Sequence, residues 1–261
     1  MPFENFFHFF KSYSDCYTII GGNAASILLN KEGQDFRATH DYDMVVIFEN
    51  ATAGFSERFM QFVEKYGYSM DGFGKNKDKS YYRFVTKNES VPSQIELFCR
   101  KPFLYDLIEP DVHKTPLHFE NGPSLSAIVL DDDYYQILKK GVERIQVGSE
   151  GAPVLSPAYL ILFKAKAHLD IRKRILDGQQ VQRSDKTKHF NDVCRLTELL
   201  PDNNYDLSLV PERVQSDLKK FIKLVEDTDK REFKLKFRHM NAAERPNQIV
   251  VITDLNNLLP N

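Results

Sequence analysis

Apolar and polar positions alternate in two rhythms along this chain, and the change of rhythm divides it. Residues 3–13 carry Phe at helical spacing and predict an N-terminal helix laid over a sheet. Residues 17–20 are a short β-rich run that ends in Gly21-Gly22, and residues 24–29 read as a helix with Asn23 at its cap. Residues 43–48, with MVVIF at their centre, read as a buried strand. Phe55, Phe59, Phe62 and Val63 recur at helical spacing within 55–66. A polar turn at 75–79 precedes two further strands, 81–86 and 94–98. This order predicts an α/β (α+β) fold: a mixed sheet flanked by helices.

Past residue 100 the pattern changes. Residues 101–125 hold four prolines and little periodicity, which reads as loop. Residues 125–130 and 143–147 read as strands. Ser156-Pro157 then opens a long helix, with Ser at the cap and Pro in the first turn, and Asp177-Gly178 ends it. Residues 191–200 and 211–225 predict two more helices, while the IVVIT run within 248–255 reads as a strand or an extended tail. The expected organisation is an α/β domain over 1–150 and a mainly helical domain over 151–261, with an active cleft between them.

Composition narrows the class. A chain of 261 residues with 42% apolar and 28% charged positions is that of a globular protein with a substantial core. Lys plus Arg number 35 against 37 Asp plus Glu, so a strongly basic nucleic-acid coat is excluded while local basic patches are not. The longest apolar run, 158–163, is too short to span a bilayer, and the first residues lack the basic segment and cleavage site of a signal peptide. Cys16, Cys99 and Cys194 lie far apart with no CxxC, which predicts plain thiols in a reducing cytoplasm.

Candidate chemistry concentrates in three places: Gly21-Gly22-Asn23, the stretch Arg37-Ala38-Thr39-His40-Asp41-Tyr42-Asp43, and Glu96. Asp41 and Asp43 stand two apart, so on a strand they point to the same side. Two adjacent carboxylates repel, and a divalent cation removes the conflict. Carboxylates, waters and phosphate oxygens are the ligands Mg²⁺ prefers. Glu96, set in the apolar strand SQIELF, is a third acid that would let the site hold two ions. A Gly-Gly turn before a helix lets backbone N–H groups approach a phosphate closely.

The segments YTIIGGNAASILL and FRATHDYDMVVIF resemble the nucleotidyltransferases of the DNA polymerase β superfold, closest to the AbiEii-type toxins of type IV toxin–antitoxin systems. The matching positions are Gly21, Gly22, Ala24, Leu28, Arg37, Thr39, Asp41 and Asp43. The second half agrees through VLSPAYLILFKAKAHLDIRKR, with Leu155, Ser156, Pro157, Lys164, Ala167 and Arg172, and through KHFNDVCRL, with Lys188 and Asp192. The likeness runs over roughly 15–200 in conserved motif order. Asn23 stands where Ser or Thr is commoner, and His189 where the family often has an acid.

The resemblance implies an Mg²⁺-dependent enzyme that moves a nucleoside monophosphate from an NTP to a hydroxyl. Asp41, Asp43 and Glu96 would bind two metal ions. Gly21, Gly22, Asn23, Arg37, Thr39, Lys164, Lys188 and Asp192 would bind the nucleotide. RNA, a protein side chain and a small molecule are the candidate acceptors; the toxin-like resemblance favours RNA or tRNA, with a small molecule as the nearest competitor, and an antitoxin protein is the implied partner. Two other classes stay open: a catalytically quiet NTP-binding or interaction module, and an RNA-binding protein without chemistry.

Blander readings stand beside these. Asp192 could pair with Lys188 at i, i+4, Arg37 could pair with Asp35 or Asp41, and Asp131-Asp132-Asp133 reads as a helix N-terminus. Residues 230–245 hold six Lys/Arg against two acids, a solvated face or a phosphate-backbone grip. Residues 172–188 hold six against two.

Overall fold

A computed structural model describes residues 2–34, 41–47, 49–70, 83–100, 114–117, 125–138, 140–200 and 210–260. The chain divides into two compact units, Met1–Leu155 and Ser156–Asn261.

The first unit is a mixed sheet with helices packed on it. Its elements run α1 (Pro2–Phe9), β1 (Tyr17–Ile20), α2 (Gly21–Lys31), β2 (Asp41–Val46), α3 (Ala53–Lys65), β3 (Ser69–Met70), β4 (Arg83–Val85), β5 (Gln94–Arg100), β6 (Lys114–Leu117), β7 (Leu125–Leu130), α4 (Asp132–Leu138), β8 (Val142–Val147) and β9 (Glu150–Leu155). Among the described residues the strand order is β3-β4-β5-β2-β1-β9-β8. The long β5 carries β4 antiparallel along its first half and β7 parallel along its second, and β6 pairs with β7. β5 is parallel to β2, while β1 is antiparallel to β2 and parallel to β9.

The core of this unit is aromatic. Phe6, Phe7, Phe10, Tyr17, Tyr42, Phe55, Phe59, Phe62 and Phe84 are fully buried. Phe6 stands edge-on to Tyr17, Tyr42 and Phe62 with centroids 5.0–5.8 Å away, and Phe59 meets Phe84 at 5.0 Å. Period-two alternation therefore sends Tyr42 to the α1 side of β2 and Asp43 to the other. Cys16, Cys99 and Cys194 are buried and take part in no disulfide, and burial pushes Cys16 up to about 11 and Cys99 up to about 12.

The second unit is helical: α5 (Pro157–Leu176), α6 (Asp185–Leu196), α7 (Glu212–Glu226), α8 (Lys230–Lys236) and α9 (Gln248–Asn257). α5 packs on α6 and α7, and α7 on α9. Phe190, Phe221, Phe233 and Phe237 form its aromatic centre. No described helix is long and apolar enough to cross a membrane.

Several elements differ from the sequence pattern. α2 begins at Gly21, so Asn23 lies inside the first turn and is not a cap. The expected strand at 248–255 is α9: the Asn247 side chain accepts N–H bonds from Ile249 and Val250, and Val251 and Leu255 are buried one turn apart. β9 had no strand signal because Gly151 and Pro153 interrupt its pattern. β6 is a strand inside the proline-rich stretch, with Pro116 in it. α6 starts at Asp185, six residues before the expected helix.

Candidate active site

The site grows from one row of residues across four strands. Ile20 of β1 pairs with Asp43 of β2, Asp43 with Glu96 of β5, and Glu96 with Arg83 of β4. Partners at one register position point to the same face, and neighbouring strands lie about 4.8 Å apart. Asp43 and Glu96 are thus side by side. Asp41 opens β2 two positions earlier and pairs in register with Gln94. The opposite face at these positions, Tyr42, Ile95 and Phe84, is fully buried apolar core, which fixes the register because a one-residue slip would turn the acids inward.

At its β1 end the row meets the start of α2. Gly21 has a φ of +71°, a left-handed conformation that turns strand directly into helix. A Cβ placed there would stand 1.7 Å from Asp43 Oδ2 and 2.9 Å from Asp43 Cβ. Two independent constraints, one of backbone and one of space, therefore require glycine. No side chain caps α2, since its N-cap is Ile20 in extended conformation. The helix start thus presents backbone N–H groups beside a carboxylate. Gly22 and Asn23 follow in that first turn, and the Asn23 side chain is fully buried.

At the other end Arg83 forms an ion pair with Glu96, both side chains mostly buried, and Gln94 Nε2 donates to Glu96 Oε1 at 3.2 Å. Sequence reasoning missed Arg83. Its signal was a lone basic residue in the strand pattern YYRFV, facing an acid once β4 and β5 pair antiparallel.

Asp43 and Glu96 form an oxygen-only donor set at facing register positions, with the Asp41 backbone two residues away, and this suits Mg²⁺. Among the described residues, which do not include the Asp41 side chain, no group of three or more His, Cys, Asp and Glu gathers as a metal site. Arg37 and Thr39 lie outside the described residues, as do His40, His113 and His118.

In the helical unit, Lys164 of α5 and Asp192 of α6 form a buried ion pair at 2.6 Å, each side chain 3% exposed. Lys188 pairs instead with Asp185 at 2.8 Å. The i, i+4 pairing of Lys188 with Asp192 is thus replaced by a contact between helices. Asp131 caps α4 by accepting from the Asp133 N–H at 3.1 Å, with Asp132 and Asp133 in the first turn.

No family model and no curated protein matches the chain. Among solved structures it has a loose likeness to an antigenic nucleotidyltransferase-like protein from Paracoccidioides brasiliensis, 14% identical over 85% of this chain and 84% of that one, with a TM-score of 0.44. A second is the antibiotic-resistance factor ANT(2'')-Ia, 13% identical over 92% of this chain and 98% of that one, with a TM-score of 0.38. Likenesses this loose decide neither fold nor activity.

Proposed function

We propose that the chain is an Mg²⁺-dependent nucleotidyltransferase of the DNA polymerase β superfold, moving a nucleoside monophosphate from an NTP to a hydroxyl. The observation that carries this reading is the row Gly21–Asp43–Glu96: two carboxylates abreast on parallel strands, against a helix start built from two glycines.

Each residue has a role that follows from its place. Asp41, Asp43 and Glu96 would hold Mg²⁺, two ions with all three acids engaged. When bound, the metal neutralises developing charge on the phosphates. The backbone N–H groups of Gly21, Gly22 and Asn23 would hold the distal phosphates, favoured by the helix dipole. Asn23 acts here through its backbone, because its side chain is buried. Arg37 and Thr39 take nucleotide contacts by resemblance alone. Lys164 and Asp192 pair with each other and Lys188 with Asp185, as Glu96 pairs with Arg83, and their nucleotide contacts rest on the resemblance alone. Positioning with fixed electrostatics supplies the rate.

RNA, and tRNA within it, is the proposed acceptor, on the strength of the toxin-like motifs. The test is label transfer: the full chain with Mg²⁺, each α-labelled NTP and total cellular RNA, beside Asp43→Asn. Label entering RNA, and lost in the variant, supports the reading. Label found only in protein or in small molecules overturns the RNA acceptor. The absence of label from every product, with the protein folded, leaves the quiet binding module.

A further inference from the structure

α5 carries His168 one turn beyond Lys164 and Arg172 one turn beyond that. His168 is 5% exposed and sits between Phe190 and Phe221, with ring centroids 5.5 and 5.7 Å away. Its Nδ1 has no hydrogen-bond partner among the described residues. Burial first, then the charges of Arg172 and Lys236, hold the imidazole down to about 4, so it is neutral near pH 7. A buried polar atom without a partner in the protein is uncommon.

A cavity of about 300 Å³ opens beside this ring, its lining including His168, Arg172, Lys186, Phe190, Glu232 and Lys236. That volume is at the lower end of small-molecule sites. Lys236 is balanced by Glu232, 2.8 Å away, and its Nζ lies 5.2 Å from the centre of the Phe190 ring. Arg172 and Lys186 have no ion-pair partner among the described residues. The cavity therefore combines two uncompensated cations at its mouth with an aromatic floor. Two cations match the double charge of a terminal phosphate near pH 7, whereas an internal phosphodiester carries one charge. A volume of this size also suits a small ester better than a polymer.

We propose that this cavity binds a phosphomonoester of mononucleotide size. Arg172 and Lys186 grip the phosphoryl group, the flat apolar part lies against Phe190, and the His168 ring forms the wall beside it. The site uses none of Gly21, Asp43 or Glu96, so it stands or falls apart from the nucleotidyl-transfer reading.

The test uses the full chain with isotope-labelled histidine, titrated with AMP and separately with inorganic phosphate while the ring signals of His168 are followed. AMP should move those signals saturably at one equivalent. Arg172→Ala and Lys186→Ala should each weaken AMP by about tenfold, since each removes one charge-assisted contact. Asp43→Asn should leave the His168 response to AMP intact even where transfer is abolished. Both cations are exposed, so the variants keep their fold, and circular dichroism checks it. Signals of His168 that stay still with AMP at millimolar concentration overturn the proposal. So does AMP affinity that survives the Arg172→Ala/Lys186→Ala double variant, or a ring that answers phosphate but not AMP.

Discussion

At the residue scale, Gly21 and Asp43 constrain each other. A left-handed φ costs a side-chain-bearing residue about 1–2 kcal/mol, and at Gly21 a methyl would also strike the Asp43 carboxylate. Gly21→Ala should therefore lose stability by at least that amount in denaturant titration. On the proposed function it should also slow transfer about a hundredfold, because it displaces a carboxylate that holds the metal. Arg83 sets the opposite end of the row by neutralising Glu96. Arg83→Met should lower the melting temperature of the metal-free protein and enlarge the rise that Mg²⁺ produces, because the cation and Arg83 draw on the same carboxylate. Lys164 and Asp192 form a deeper pair. Lys164→Met strands a buried charge and should cost about 3–5 kcal/mol, while Lys164→Met with Asp192→Leu should recover part of it, measured as a double-mutant cycle.

At the element scale, α1 docks against the β8–β9 hairpin through charge. Glu150, buried at the start of β9, accepts from His8 Nδ1 at 2.9 Å and pairs with Lys11 at 3.3 Å. The hydrogen bond with His8, then the contact with Lys11, holds the Glu150 carboxyl below its ordinary range. A depressed carboxyl contributes stability above its unfolded value, about 4.3, and loses it as pH falls through the lower folded value. Wild type should thus exceed Glu150→Gln at neutral pH, and the gap should close on acidification, read by protease cleavage after α1.

The elements show which signals the sequence carried. The strand–Gly-Gly–helix junction and the Ser156-Pro157 helix start were legible, because Gly and Pro leave backbone constraints that composition exposes. α9 was not: its β-branched run satisfies a strand pattern, and only the Asn247 cap and the burial of Val251 and Leu255 decide for helix. The partner of Asp192 was equally hidden, since spacing along one helix says nothing of the residue a second helix brings to it. Arg83 showed only as a lone basic residue in a strand pattern, its role arising from cross-strand register.

At the scale of the whole molecule, the two proposed sites fall in different units. The sheet unit supplies a fixed carboxylate row whose back is a wall of Phe and Tyr side chains. The helical unit supplies buried charge pairs and a cationic cavity over His168. The central claim is that the Asp43–Glu96 face takes a divalent cation. Electron paramagnetic resonance of Mn²⁺, a stand-in for Mg²⁺, measures this directly on the full chain with and without NTP. Wild type should bind Mn²⁺ and bind it more tightly with NTP, while Asp43→Asn and Glu96→Gln should each weaken it about tenfold or more. Equal uptake of Mn²⁺ by wild type and both variants, all folded, would contradict the assignment of this face as the metal site.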